Sequence, residues 1–489
     1  MPAYRAELRL MAGSLHHTAE LRVPRPIIHF APERHWMNDP NGLIHHQGRW
    51  HVYFQFNPEG NEWGNMSWGH ASSSDLLSWT EHPVALRYSP TEQIYSGSIV
   101  HDQTSEHDRL RAIYTSAYSN GKQAQSEATS SDGGMTWTRS PHNPILDRGT
   151  SNFRDPKVIR CADPEGRERW ILLAVEAEDR QVLFYGSDDL ETWDYLSSFG
   201  PTGPVGVVWE CPDLVRLPLD EDPERARWVL TLSTNPVGDE ADREGSSMSY
   251  VVGDFDGHTF TAEAPGLRRL DHGRDFYAGV TFADAPSDAP IMLGWMSNWQ
   301  YADQIPSAPW RGAMSLPREL SLRELGGRAQ LVQRPLGLDE ALLRSDVSSA
   351  PVPAGGASWN LSVHSVIDLA WDPRVTGNAK LVLRGQSDFV EVTHDTNSGE
   401  LTIRRGGRAS EAVHPDFPSL ISMPLDPSAP VRLLICLDGP LLEVFANGGE
   451  QVASHLVLLG GGAVSASITT DRPALITVAV GDLAGESQR

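Results

Sequence analysis

Three acids stand in unusual company in this chain: Asp39 in Trp36-Met37-Asn38-Asp39-Pro40-Asn41-Gly42, Asp155 in Arg154-Asp155-Pro156, and Glu210 in Trp209-Glu210-Cys211-Pro212. Proline restricts the residue before it to extended backbone, and Asx-Pro favours a turn. Taken singly, each acid has a plain reading. Asp39 is a solvated turn acid, Arg154 and Asp155 are a surface pair worth little, and Glu210 packs its stem while its head reaches water. Taken together, isolated carboxyls far apart in sequence suit a site assembled by a fold. Glycoside cleavage needs one carboxyl to protonate the leaving oxygen and one to attack the anomeric carbon; a third can stabilise the positive charge between them. The apolar neighbours of Glu210 favour its neutral form, as a general acid requires. Adjacent side chains on a regular strand point to opposite faces, so Arg154 and Asp155 share one site only if the backbone twists there.

Other chemistries find no support. The sequence has no His-Glu-x-x-His, no phosphate-binding Gly-Lys-Ser/Thr loop and no convincing Gly-x-Ser-x-Gly elbow. His16-His17 and His45-His46 have no acidic or Cys partner at ligand spacing and read as surface residues. Neither a metal nor an organic cofactor is expected.

A short repeat indicates what positions the acids. Ser74-Asp75-Leu76-Leu77-Ser78-Trp79 returns as Ser131-Asp132-Gly133-Gly134-Met135-Thr136-Trp137 and as Ser187-Asp188-Asp189-Leu190-Glu191-Thr192-Trp193. The tryptophans are spaced by 58 and 56 residues, and strand-rich text such as Trp50–Phe56 and Trp170–Val175 precedes each copy. Units of this length, made of short strands and Asp/Gly turns, read as propeller blades. In such turns Asp bonds the amides and Trp packs between blades. The stretch 23–322 accommodates about five blades. A linker is expected over 323–357, with a short helix over 331–344 and a Pro/Gly spacer from Ala350 to Gly356. Strand-dense text over 358–489, including 361–366, 379–384 and 401–404, predicts a β-sandwich. The expected fold class is all-β: a five-bladed β-propeller followed by a C-terminal β-sandwich.

Bulk properties exclude more than they select. With 489 residues the chain is long enough for two or three domains. Its 40 basic and 64 acidic residues give a net charge of −24. That balance argues against a nucleic-acid partner and against an anionic membrane, but admits a neutral carbohydrate. Three scattered cysteines, Cys161, Cys211 and Cys436, form no disulfide framework and no zinc spacing. The first residues include Arg5, Glu7 and Arg9 and no continuous apolar run, which predicts a cytoplasmic protein, or a secreted one if a leader has been removed.

The three motifs, in this order, resemble those of glycoside hydrolase family 32, the invertase, inulinase and levanase group. Supporting stretches are Trp63 to His70, Tyr95 to Ser98, Val252 to Gly257, Asp275 to Ala278, Gly294 to Tyr301, Pro309 to Arg311 and, near the end, Leu442 to Gly449. The resemblance implies that Asp39 is the nucleophile of a retaining β-fructofuranosidase, Glu210 its general acid/base and Asp155 the transition-state stabiliser. It places Asn38, Gln55, Trp63, Tyr95, Ser96 and Arg154 around the fructose, with Trp295, or failing it Trp299, as an aromatic wall. Tyr95 departs from the Phe frequent in related chains. The implied substrate is a fructose-containing oligo- or polysaccharide, met by a monomer or homodimer. The exo-acting branch resembles the chain most. A transfructosylase, a difructose-releasing hydrolase and a non-catalytic carbohydrate-binding propeller are the alternatives.

Overall fold

The computed structural model describes residues 23–103, 108–162, 166–237, 245–287, 289–338, 342, 346–353, 356–427 and 429–483. The leader reading and His16-His17 lie outside them, as do 339–341 and 343–344 of the expected linker helix. Antiparallel strands dominate, and among the described residues the α-helices are short: Pro373–Thr376 and Arg408–Val413.

The first three blades are each built of four consecutive strands, beginning with His35–His46, Glu92–Gln103 and Phe153–Ala162, and the late strand Trp310–Arg311 adds a fifth to the first sheet. The fourth begins with Val207–Leu219. The fifth contains Tyr277–Thr281, Ile291–Trp295, Arg318–Leu325 and Arg328–Pro335. These last two blades share one hydrogen-bonded sheet through the pair Leu219 and Leu322. The five leading strands touch one another in a closed ring. Closure is sealed where Trp310-Arg311 pairs in parallel with His35-Trp36 and His35 N–H donates to Pro309 O (2.7 Å).

The repeat forms the turn between the third and fourth strands of a blade. Asp75 Oδ1 accepts Leu77 N and Ser78 N (2.9 and 2.7 Å), Asp132 Oδ1 accepts Met135 N and Thr136 N (3.1 and 3.0 Å), and Asp189 Oδ1 accepts Glu191 N and Thr192 N (both 2.8 Å). In the first two copies the tryptophan Nε1 donates back to a turn carbonyl, of Leu76 and of Gly134 (3.0 Å each). An Asx turn plus an indole anchor costs little sequence and recurs wherever a blade must reverse.

All five leading strands carry the same irregularity. Between Met37 and Pro40, Ile94 and Gly97, Arg154 and Lys157, Glu210 and Asp213, and Tyr277 and Val280, three steps along the strand oppose two on its neighbour. A bulge adds one residue and re-aims the side chains beside it. Three of the bulges hold a non-glycine residue at positive φ: Asp155 (62°), Cys211 (48°) and Ala278 (53°).

Two six-stranded sheets follow, packed around Ile367, Leu369, Leu383, Val390, Ile403, Leu433, Ile435 and Val444. Strict alternation of burial along Asp388–Asp395 shows the one-sided face that such packing requires. Two expectations need correction. Leu331–Pro335 is not helical but belongs to the strand Arg328–Pro335, zipped to Arg318–Leu325. Burial of Ala329, Leu331 and Val332 in the fifth blade overrides the helical preference of Leu and Gln. The stretch 361–366 is not one strand: Ala357–Leu361 and His364–Trp371 pair in opposite sheets, and Ser362-Val363 crosses between them.

Candidate active site

Because the bulges lie at the same height in every leading strand, their residues meet at one end of the ring. Asp39, Asp155 and Glu210 come from the first, third and fourth blades. Cys211 links them: its N–H donates to Asp155 Oδ2 (3.0 Å), and its Sγ lies 3.5 Å from Asp39 Oδ2 and 3.7 Å from Asp155 Oδ2. Asp155 N–H donates to Thr115 Oγ1 on the second blade (2.9 Å), and Ala278 N–H to Ser233 Oγ on the fourth (3.0 Å). The amides freed by two bulges are therefore satisfied by hydroxyls of the preceding blade.

Asp39 is buried. Ser96 Oγ donates to its Oδ2 (2.7 Å) and Asn38 Nδ2 to its Oδ1 (3.0 Å), while Trp36 Nε1 holds Asn38 through Oδ1 (2.8 Å). Burial pushes the Asp39 carboxyl above its ordinary range; Ser96 works against that and the charge of Glu210 adds to it. Asp155 is pushed up to about 7 by burial, opposed by Arg154 and reinforced by Glu210 and Asp39. Like charges this close resist simultaneous ionisation, so the cluster retains a proton near neutrality.

Glu210 is half-buried and its two oxygens face different donors. Arg154 Nε and Nη2 meet Oε1 at 3.2 Å each, and the Tyr277 hydroxyl donates to Oε2. The left-handed turn at Asp155 resolves the geometric problem of two neighbouring side chains serving one site. Arg154 reaches Glu210 while Asp155 reaches Cys211.

The other expected residues divide into two groups. Asn38, Gln55 and Ser96 are buried and committed to protein partners. Gln55 Nε2 donates to Ile94 O (3.1 Å), and Asn41, with its amide oriented by the network, accepts from Gln55 N and Nε2 (3.1 and 3.0 Å) and donates to Ser96 Oγ (3.3 Å). Trp63 and Tyr95 are accessible. Trp63 is 46% exposed and meets Tyr95 edge-on at 6.2 Å, and Tyr95 lies within the field of Arg154, Glu210 and Asp155. The aromatic wall differs from expectation. Trp295 is only 1% exposed, packed between Trp36 (6.0 Å) and Trp299 (4.9 Å), so it backs the wall. The half-buried Trp299, stacked on Trp36 at 6.0 Å, is the accessible member.

Sequence reasoning missed Tyr277, Cys211, Asn41 and Thr115 as site residues. Tyr277 and Cys211 lay inside quoted motifs, but nothing local reveals a hydroxyl aimed at a carboxyl 67 residues away. His45 and His46 are also corrected. They are half-buried and line a cavity of about 830 Å³ at the opposite end of the ring, where the His46 ring meets His101 at 4.8 Å. Below the acids, Lys157 Nζ meets Asp213 Oδ2 (3.1 Å) and Thr281 O (2.7 Å), residues that sit between the two ends.

Comparison with known proteins agrees with this architecture. Residues 29–335 match the glycosyl hydrolases family 32 N-terminal domain, and residues 339–467 the glycosyl hydrolases family 32 C terminal. A levanase of Bacillus subtilis (strain 168) is 39% identical over 458 residues, 89% of this chain and 66% of the levanase. An extracellular exo-inulinase of Aspergillus awamori is 35% identical over 492 residues, 90% of this chain and 91% of the relative. The crystal structure of the Aspergillus awamori exo-inulinase superposes with a TM-score of 0.88 at 32% identity, covering 96% of this chain and 99% of the other. That of a Schwanniomyces occidentalis β-fructofuranosidase with fructosyl-erythritol gives 0.85 at 29% identity, covering 95% and 98%. These relatives correct the expected cytoplasmic location, since several exo-inulinases matching 90% of this chain are extracellular proteins. The physical reason is that residues packing blades and sandwich carry no address; composition and charge do not encode a compartment.

Proposed function

This chain belongs to glycosyl hydrolase family 32, and from that premise we propose that it is a retaining exo-β-fructofuranosidase, releasing terminal fructose from sucrose, fructo-oligosaccharides or fructan ends. The observation that carries the reading is the meeting of Asp39, Asp155 and Glu210, from three blades, around Cys211.

In the first step protonated Glu210 gives its proton to the glycosidic oxygen as an Asp39 oxygen attacks C2 of the fructosyl unit. The C2–O bond breaks, the alcohol leaves, and a fructosyl ester on Asp39 remains. Glu210, now a base, takes a proton from water; the water oxygen attacks C2, fructose departs and both carboxyls are restored. The chemistry calls for the Asp39 and Glu210 carboxyls about 5–5.5 Å apart. Asp155 is assigned to grip fructose hydroxyls and balance the oxocarbenium-like charge. Asn38, Gln55 and Ser96 set the Asp39 side of the subsite, Arg154 orients Glu210, and Trp63, Tyr95 and Trp299 supply apolar faces for sugar rings, with Trp295 behind them.

The test is the product profile from sucrose, inulin and levan, with Asp39→Asn as control. Fructose as the only new fragment, and a loss of about 10³-fold or more in the variant with its circular dichroism unchanged, is the expected result. Difructose, or oligosaccharides longer than the substrate, overturns the exo-hydrolase reading in favour of disaccharide release or transfer. Absence of products from every fructoside leaves a sugar-binding propeller.

A further inference from the structure

The hydroxyl on Glu210 Oε2 belongs to Tyr277, and the segment that carries it is anchored by the sandwich. Two residues earlier, Asp275 is 0% exposed. Its N–H donates to Ser454 O (3.1 Å), and its Oδ2 accepts Leu456 N (2.8 Å) and Arg405 Nη1. Tyr301 OH donates to Asp275 Oδ1 (2.7 Å) and accepts from Arg405 Nη2 (2.6 Å). Arg405 also donates from Nε to Phe417 O (2.6 Å) and from Nη1 to Leu456 O (2.7 Å), with its guanidinium 4.0 Å from the centre of the Phe417 ring. One buried guanidinium from the sandwich thus clamps two fifth-blade segments that wall the site: 275–277, which carries Tyr277, and 299–301, which carries Trp299. Only a planar fork makes these bonds together; an ammonium is a single point of donation.

We propose that Arg405 is a positioning residue: through Asp275 and Tyr301 it holds the Tyr277 hydroxyl on Glu210. This rests on the reading of Glu210 as the general acid/base. Glu210 is faced by Arg154 and Asp155 from the third blade, Asp39 from the first, Tyr95 from the second, Cys211 from its own strand and Tyr277 from the fifth. Around the Arg405 and Asp275 pair lie Tyr301, Arg274 and His455. Tyr277 fixes Oε2 as Arg154 fixes Oε1, so losing the Tyr277 bond leaves the carboxyl held at one oxygen and free to turn.

The experiment compares kcat and KM on sucrose for Tyr277→Phe, Arg405→Met, Arg405→Lys, Tyr301→Phe and the Tyr277→Phe/Arg405→Met double variant. A carboxyl turned off its line costs turnover and not binding, so kcat is expected to fall about tenfold in Tyr277→Phe and Arg405→Met, with KM within about twofold of the parent. A smaller loss is expected in Arg405→Lys and Tyr301→Phe, and no further loss in the double variant. An unchanged kcat in folded Arg405→Met, or a rise in KM alone, overturns the proposal, as do losses that multiply in the double variant. Should Arg405→Met fail to fold, Tyr301→Phe decides by the same comparison, because it keeps the ion pair. Glu210→Gln separates the two readings. Retained activity there refutes the acid/base role, whereas an inactive Glu210→Gln beside an unchanged Arg405→Met kcat refutes the positioning alone.

Discussion

Burial pushes Asp39 toward its neutral form while Ser96 and Asn38 donate to its two oxygens and hold the charge. The nucleophile role proposed for Asp39 requires its ionised form, so the Ser96 bond is expected to set how far into acid the protein works. Ser96→Ala removes a donor to the anion and raises the pKa of Asp39 further. The acid limb of the kcat/KM profile then moves up by about 0.5–1 pH unit, and activity below it falls by about three- to tenfold, a pH titration of sucrose hydrolysis being the measure. Cys211 behaves differently. Burial and the three acids push its thiol well above the usual range, so it stays S–H and serves as a bridge, not a nucleophile. At this scale the three acids were legible, because Asp-Pro and Glu-Cys-Pro in their Trp and Asn surroundings are rare combinations. What Asn38 and Gln55 do was not: an amide side chain reads the same whether it faces a sugar or, as here, its own protein.

The bulge is the element that makes the site. Each of the five leading strands carries one extra residue, and the residue pairs there (Asn-Asp, Tyr-Ser, Asp-Pro, Cys-Pro, Ala-Gly) are buried except for the half-buried Tyr95. A left-handed Asp155 is strained backbone, tolerated because Thr115 accepts its N–H. Thr115 is fully buried. Thr115→Val keeps its shape but leaves that amide unpaired, which costs about 1–3 kcal/mol. The urea midpoint is expected to fall accordingly, and activity to fall beyond the change in folded fraction, since Asp155 loses its fixed angle. A Val variant indistinguishable from the parent in both would show that the hydroxyl is dispensable. The repeat behind the blades was readable in sequence because an Asx turn is local chemistry. The bulges were not, since a bulge exists only relative to a partner strand, and the partner's register is a property of the pair.

Propeller and sandwich meet through buried charge. Arg318 Nη2 pairs with Glu443 Oε2 (2.6 Å) and its Nη1 with Asp271 Oδ2 (2.9 Å). His29 bridges Asp438 Oδ2 (2.8 Å) and Glu443 Oε1 (3.1 Å). Burial opposes a charge on His29, but its two carboxylate partners prevail and raise it to about 9. A histidine raised on folding stabilises fully below its unfolded pKa, about 6.5, and that stability drains away as pH rises through the folded value. His51, stacked on His70, has the opposite sign: burial lowers it to about 4, so its contribution is lost as pH falls from about 6.5 toward that value. The two histidines therefore act on opposite sides of pH 6.5, and His29 alone is expected to cost about 3 kcal/mol on the alkaline side by pH 9. Urea midpoints across pH measure it; His29→Gln should lower the midpoint and flatten the alkaline slope, and an unchanged slope would remove His29 from the account. None of this interface was visible beforehand, because His29, Arg318, Asp438 and Glu443 lie in separate stretches, and the motif that contains Glu443 does not name its partners. By itself the sequence determined the blades, the sandwich and the family, and it singled out the three acids as candidates, all of which are written in local patterns: alternation, Asx turns and short motifs. The tertiary structure alone decided which bonds Asn38 and Gln55 spend on protein, that Trp299 and not Trp295 meets the surface, and that a sandwich arginine reaches Asp275, two residues before Tyr277. Those outcomes depend on register and on distances between residues far apart in the chain, and a side chain's type does not specify the partner it will meet.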